Sequence, residues 1–436
     1  MRLATEQAVR AAVGKAVDSA AVVDMHTHLF EPRFGGLLLW GIDELLTYHY
    51  LVAEIFRARP DLAYADFWAM PKPAQAELIW DELFVKRSPV SEACRGVVTC
   101  IGALGVKPGP EALAETRKLL ANRTAEQHID AVFKLAGVSR AVMTNDPFDD
   151  AERELWLKGE GQRDERFIPA LRIDAMLNDW PAAAKKLKAM GYSGGGDTAG
   201  PDARGIFDVK CFLGDWADRM KPAYLAASLP PYFVYEDREL PPGAEPVPDA
   251  ERPGWSAQAK VFTHCLLPFA KERGLPVALM IGVRKQVNPE LKLAGDSLGL
   301  AHVEIVECLC RDWPDVRFFI TMLARENQHA LRVAARKFKN LTPFGCWWFL
   351  NDPSIIREMT AERLELLGLS FVPQHSDARV LDQLVYKWRH SRQVIGEVLA
   401  DKFADLWRSG WPVGRPEIER DVERLFSGNF LELTKK

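Results

Sequence analysis

Two histidines one residue apart close an apolar run near the start of the chain, in Ala20-Ala21-Val22-Val23-Asp24-Met25-His26-Thr27-His28-Leu29. Side chains two apart on a strand point the same way, so His26 and His28 present two imidazoles to one side, where they can hold one divalent cation. Two neutral nitrogens need a carboxylate to complete a site for zinc or a similar metal. Asp377, in His375-Ser376-Asp377-Ala378-Arg379, follows the last apolar run of the chain. Alone, an aspartate there reads as a helix N-cap. In a closed barrel, however, the eighth strand lies beside the first, which sets Asp377 next to His26 and His28. These three residues are the expected ligands of one divalent metal, zinc in the first place, with manganese or iron as alternatives.

The elements that must position them are bounded by length and composition. At 436 residues and 48% hydrophobic content, the chain can fill one large barrel or two ordinary domains. Its net charge of −4 leaves no basic surplus for nucleic acid or an anionic membrane. The seven cysteines form no Cys-x-x-Cys pair and read as free thiols in a reducing compartment. The N-terminal stretch is interrupted by Glu6, Arg10, Lys15 and Asp18, and no uncharged apolar run reaches the roughly 20 residues of a membrane span. A cytoplasmic, soluble homo-oligomer with a small-molecule partner is expected.

Short apolar runs alternate with longer stretches of helical character and no fixed repeat, the pattern of βα units. The expected strands are Ala20–His28, Val138–Thr144, Arg166–Ile173, Ile206–Phe212, Pro276–Val283, Val316–Met322, Leu341–Phe349 and Leu369–His375. Eight runs that are apolar throughout fit the parallel strands of an α/β fold, the (β/α)8 TIM barrel, whose strands are buried on both faces. Between the first two, Asp43–Arg59, Lys72–Arg87 and Pro110–Ala136 carry apolar residues at three- and four-residue intervals, and Val97–Val106, apolar enough for a ninth strand, reads as a buried helix or loop. The expected organisation is therefore an N-terminal helix over 1–19, a barrel from 20–40 and 137–436, and a helical insertion over 41–136. Gly191–Gly205 and Leu229–Gly254, rich in Gly or Pro, read as long loops. Only the second follows an expected strand and so could act as a lid at the catalytic face.

Other motifs, in order along the chain, resemble the uronate isomerases, a branch of the amidohydrolase superfamily. To the Asp24-Met25-His26-Thr27-His28 start are added His49-Tyr50 about twenty residues later, Gly345-Cys346-Trp347-Trp348-Phe349-Leu350-Asn351-Asp352, and Asp377-Ala378-Arg379. Thr144-Asn145-Asp146-Pro147 and the arginine of Pro169-Ala170-Leu171-Arg172 echo the family more weakly. There are also departures. Met280 stands where the family has a histidine on its fifth strand, and a thioether is neither a general base nor a good ligand for such a cation. Either Arg284 or Lys285 takes the place of the family arginine that follows. Asp208-Val209-Lys210-Cys211 has no counterpart in the family.

The resemblance implies interconversion of a hexuronate and its keto isomer, glucuronate to fructuronate, by proton transfer through an enediolate. Under it, Arg379 and Arg172 would hold the substrate carboxylate, since a guanidinium offers a carboxylate a planar two-pronged fork. Proton transfer would fall to Asp377 first and Tyr50 second, with His49 orienting. Trp347 and Trp348 suit core filling, with Trp348 assigned to face the sugar. His128, His264, His302, His329 and His390 are given no role. The rival readings are a metal-dependent hydrolase or decarboxylase acting on a small carboxylated substrate, and a catalytically inactive barrel kept as a binding protein.

Overall fold

The computed structural model describes residues 2–197, 200–235 and 255–435. Seven parallel strands form one curled sheet: β1 Val22–Thr27, β2 Val138–Asn145, β3 Phe167–Arg172, β4 Leu225–Leu229, β5 Val277–Ile281, β6 Phe318–Met322 and β7 Leu341–Pro343. Each pairs with the next in chain order. The eighth position is filled by an extended segment without a regular ladder. On one side Val372 exchanges hydrogen bonds with Gly345 and Pro343. On the other, Asp377 N donates to His26 O at 3.1 Å and His28 N to Ala378 O at 2.7 Å. This closes the expected (β/α)8 barrel. Its interior is packed by residues such as Met25, Ala226, Phe319 and Phe344, and Phe430, from the helix Asn429–Thr434, packs among them.

Three expected strands change. Ile206–Phe212 lies inside the helix Ala203–Met220, and the fourth strand is the Ala-rich Leu225–Leu229. Buried Val209, Phe212, Leu213, Trp216 and Met220 recur at helical intervals, and Asp202 caps the helix by accepting from Gly205 N. Leu341–Phe349 shortens to Leu341–Pro343, because the chain turns at Gly345 and Trp348, both at positive φ. Leu369–His375 keeps only the single bridge at Val372, and Pro373 has no N–H to extend a ladder. With the fourth strand moved, Gly191–Gly205 joins two helices of one crossover, Trp180–Ala189 and Ala203–Met220, rather than preceding a strand. Residues 230–235 follow β4 at the C-terminal rim, and the rest of the expected lid lies outside the described residues.

Residues 41–136 carry the helices Ile42–Leu46, His49–Ala58, Tyr64–Ala69, Lys72–Trp80, Glu92–Ala103, Ala112–Leu120 and Ala125–Ala136. Val97–Val106 thus belongs mostly to a helix. These helices share one apolar cluster with Val9, Val13 and Val17 of the N-terminal helix Glu6–Ser19 and with Leu384, Trp388 and Ile395 of the long helix Gln383–Arg408. The long helix is thereby the common wall between the insertion and the barrel. All seven cysteines are free thiols. Among the described residues, no helix is long and apolar enough to cross a membrane.

Packing along that wall leaves no room at Gly96, where an added Cβ would lie 2.6 Å from the Tyr386 ring. Gly14, in the middle of an exposed helix turn, has nothing within 4 Å. Gly96→Ala is expected to lower the unfolding free energy by about 1–3 kcal/mol. Gly14→Ala should raise it by about 0.4–1 kcal/mol, because alanine narrows the unfolded ensemble. Urea unfolding of the two variants checks the opposite signs.

Candidate active site

A cavity of about 930 Å³ opens at the C-terminal ends of the strands, the face where barrel enzymes build their sites. His26, His28, His49, Arg172, Trp348, Asp377 and Arg379 all line it, so seven of the eight residues picked out by sequence meet in one place. The eighth, Tyr50, packs directly against His49, with ring centroids 4.4 Å apart.

His26 and His28 leave the end of β1 toward Asp377. Their Nε2 atoms lie 3.6 and 3.2 Å from Asp377 Oδ1, and one ligand atom from each of the three residues falls within 4.8 Å of the others. The hydrogen-bond network assigns the tautomers. Thr144 Oγ1 donates to Thr27 O at 2.8 Å, so at 3.0 Å it must accept from His28 Nδ1. Tyr224 OH likewise donates to Met25 O at 2.5 Å, leaving it to accept from His26 Nδ1. Each Nε2 is then a bare lone pair aimed at a carboxylate oxygen. Burial, followed by the neighbouring His28, pushes His26 down to about 3, and burial holds His28 well below its usual value, so both rings are neutral at pH 7. His26 Nε2 and Asp377 Oδ1 are buried and have no hydrogen-bond partner. Three acceptors facing each other without a donor are costly unless a cation lies between them, and this donor set fits a divalent metal.

The backbone is bent to make this arrangement. Asp377 sits at φ 53° and Trp348 at φ 50°, left-handed conformations that are strained for these residues. Asp24 braces the loop, because its fully buried carboxylate accepts from Ser376 N at 3.1 Å and from Trp388 Nε1 at 2.8 Å. Burial raises Asp24 to about 6.

The cations of the cavity differ in their engagement. Arg172 forms a two-pronged pair with Asp174, Nε to Oδ2 at 3.2 Å and Nη2 to Oδ1 at 2.9 Å. Lys285 is paired with Asp296 at 2.7 Å and stands over the Trp348 ring, 5.9 Å from its centroid. Arg379 and Arg284 face the cavity and form no ion pair among the described residues. Of the two candidates after the fifth strand, Arg284 is thus the uncommitted cation. The His49 ring lies 5.6 Å from Trp348, and its Nε2 is buried without a partner. Tyr50 OH is also unpartnered, and burial pushes its phenol well above the ordinary range.

The structure adds residues to the site that the sequence marks only weakly or not at all. His375 is fully buried, its ring 5.4 Å from His26 and both nitrogens unpartnered, and an added Cβ at Gly345 would meet it at 1.7 Å. Its place two residues before Asp377, the same spacing as His26 and His28, was the available clue. Asp146 and Asp174 line the cavity, and Glu152, raised to about 7 by burial, holds Asp146 N at 2.9 Å. Met280 fills the barrel interior opposite Thr321, which accounts for an apolar residue at the position of the family histidine.

A closed parallel barrel with a histidine–carboxylate group and arginines at its C-terminal rim defines a (β/α)8-barrel enzyme. The structure of a uronate isomerase from Bacillus halodurans superposes on 99% of this chain and 97% of that one, with a TM-score of 0.92 and 50% sequence identity. The chain belongs to the uronate isomerase family. The same fold is seen in a uronate isomerase from Thermotoga maritima, at TM-score 0.74 and 16% identity over 100% of both chains. A glucuronate isomerase from Caulobacter crescentus shares it too, at TM-score 0.76 and 14% identity over 98% of this chain and 94% of that one. No protein-family model and no curated protein matches the chain.

Burial also pushes His49 from 6.5 down to about 3. The unfolded chain therefore binds this proton first, and stability is lost as pH falls below the unfolded value of about 6.5. His49→Gln is expected to reduce the stability lost between pH 7 and pH 5 by about 2 kcal/mol. Denaturation at the two pH values tests this, and an unchanged loss would mean that the folded state protonates His49 freely.

Proposed function

We propose that the protein is a metal-dependent aldose–ketose isomerase acting on a hexuronate, of the glucuronate to fructuronate type. The observation that carries this reading is the convergence of two neutral imidazoles and one carboxylate, in a chain half identical to a uronate isomerase. His26, His28 and Asp377 would hold one divalent metal, and the mixed nitrogen and oxygen donor set favours zinc, with manganese or iron as alternatives. Such a metal would supply positive charge that lowers the cost of negative charge on the sugar oxygens.

The remaining chemistry belongs to the chain. The C2 hydrogen leaves as a proton, the C1 carbonyl becomes a hydroxyl, the C2 hydroxyl becomes a carbonyl, and a proton returns to C1. Asp377 suits the transfer because both imidazoles are paired with its Oδ1, and its second oxygen, Oδ2, would take the proton. Tyr50, held protonated by burial, donates rather than abstracts, and neutral His49 orients the sugar beside it. Arg379, free of any described carboxylate, takes the substrate carboxylate, and Arg172 offers the Nη1 edge that Asp174 leaves open. Trp348 offers its ring to the sugar at the cavity wall.

The purified protein should contain about one divalent metal per chain and lose activity to a chelator, with recovery on adding zinc or manganese. Hexuronate turnover in deuterated water should incorporate deuterium at the carbon beside the carbonyl. Asp377→Asn should lower kcat/KM on the order of 10³-fold or more. A protein that takes up no divalent metal and turns over no hexuronate even with zinc or manganese supplied would overturn the proposal.

A further inference from the structure

Asp377 and Arg379 are carried by a loop that lies along one face of the helix Gln383–Arg408. Gln383 Oε1 accepts from Arg379 N at 2.9 Å and Val380 N at 3.0 Å. Two turns on, Ser391 Oγ accepts from Gln374 Nε2 at 3.1 Å. Between them stands Lys387, only 4% exposed, whose ammonium donates to Ser376 O at 2.6 Å. The same ammonium lies 5.3 Å from the centre of the Tyr50 ring, within cation–π distance. Among the described residues it forms no ion pair.

The acceptor matters. Ser376 C=O and Asp377 N–H belong to one peptide unit, and the N–H is tied to His26 O at 3.1 Å. Lys387, with Asn351 Nδ2 at a longer 3.4 Å, fixes the other end of that plane. With the plane anchored at both ends, rotation about the N–Cα bond of Asp377 is the backbone torsion that still swings its side chain, and that torsion sits at the strained value of 53°. A neutral amide would suffice to cap one carbonyl. A buried ammonium costs far more to desolvate, and its second contact is with Tyr50, the other residue assigned to proton transfer.

We infer that Lys387 is a positioning residue, which locks the Ser376–Asp377 peptide and the Tyr50 ring in one relative geometry and so sets where the Asp377 carboxylate points. This rests on the proposed roles of Asp377 and Tyr50. In a site of this kind a displacement of about 1 Å costs on the order of 10²-fold in rate, and loss of a group that orients a ligand costs about 10- to 100-fold in metal affinity or activity.

The test compares Lys387→Met, Lys387→Gln and Lys387→Arg with the parent enzyme for folding by circular dichroism, for zinc affinity against a chromophoric chelator, and for kcat and KM on the hexuronate. Folded Lys387→Met is expected to bind zinc about tenfold more weakly and to lose about 10²-fold in kcat with KM within about threefold, with Lys387→Arg recovering at least part of both. A folded Met variant within about twofold of the parent in both zinc affinity and kcat overturns the inference. So does a change confined to KM, or failure of both the Met and Gln variants to fold, either of which makes Lys387 a binding or scaffold group. If the parent turns over no hexuronate, the functional reading fails, and the zinc comparison still decides whether Lys387 aims Asp377.

Discussion

The site depends on how the barrel closes. Between β1 and the eighth segment there is no ladder to hold the seam, only Asp377 N to His26 O and His28 N to Ala378 O, together with the carboxylate of Asp24. That carboxylate binds Ser376 N from the eighth segment and the Trp388 indole from the long helix, so three separate parts of the chain meet at one buried charge. A buried carboxylate is expensive unless its lone pairs are filled, and here they are filled by backbone and indole donors rather than by a cation. The seam also explains why His26, His28 and Asp377 sit where they do. A regular eighth strand would alternate its side chains and keep Asp377 out of the left-handed region, whereas the irregular segment lets the chain bend Asp377 back over β1.

Around this seam the polar groups divide into two kinds. His128 is satisfied on both nitrogens, by Asp382 at 2.8 Å and Arg123 at 3.3 Å, and it ties the insertion to the start of the long helix. His390 is likewise held by Glu92 and Thr99. These are the structural histidines. His26, His49 and His375 instead leave buried ring nitrogens bare, and all three are pushed well below the usual imidazole range by burial. Unsatisfied buried polar atoms are rare in folded proteins, and these rings lie together, His375 against His26 and His49 against Trp348, which sets them apart from the histidines that build the fold.

Much of this was legible in the sequence where the signal is local. The His26 and His28 spacing states its own geometry on a strand, and the apolar runs of β1, β2, β3, β5 and β6 locate five walls of the barrel. The fourth wall was hidden, because Leu225-Ala-Ala-Ser-Leu229 has no β-branched residue, whereas the neighbouring helix contains the apolar cluster Ile206–Phe212. The eighth wall shows its place in the sequence but reads as a strand, since nothing local shows that its pairing is confined to a few bonds. Long-range partners were illegible for the same reason. Lys387 looks like any lysine on an amphipathic helix, and only the fold brings its ammonium to Ser376 and Tyr50.

Met280 belongs to the packing below this seam. β5 runs in register with β6, Met280 opposite Thr321, and both face the packed interior. The three converging donor atoms come from the end of β1 and the eighth segment, and none comes from β5. What β5 does bring to the cavity lies beyond its end, where Val283–Arg284 pairs with Ser297–Leu298 and Arg284 faces the opening. An imidazole at position 280 would need a polar partner in a layer otherwise filled by Ala278, Phe319 and Val283, and Thr321 Oγ1 is the one unpartnered side-chain atom on the facing strand. The apolar thioether fills the same space without that demand, which places the departure in the packing beneath the site rather than in the group that could hold a metal.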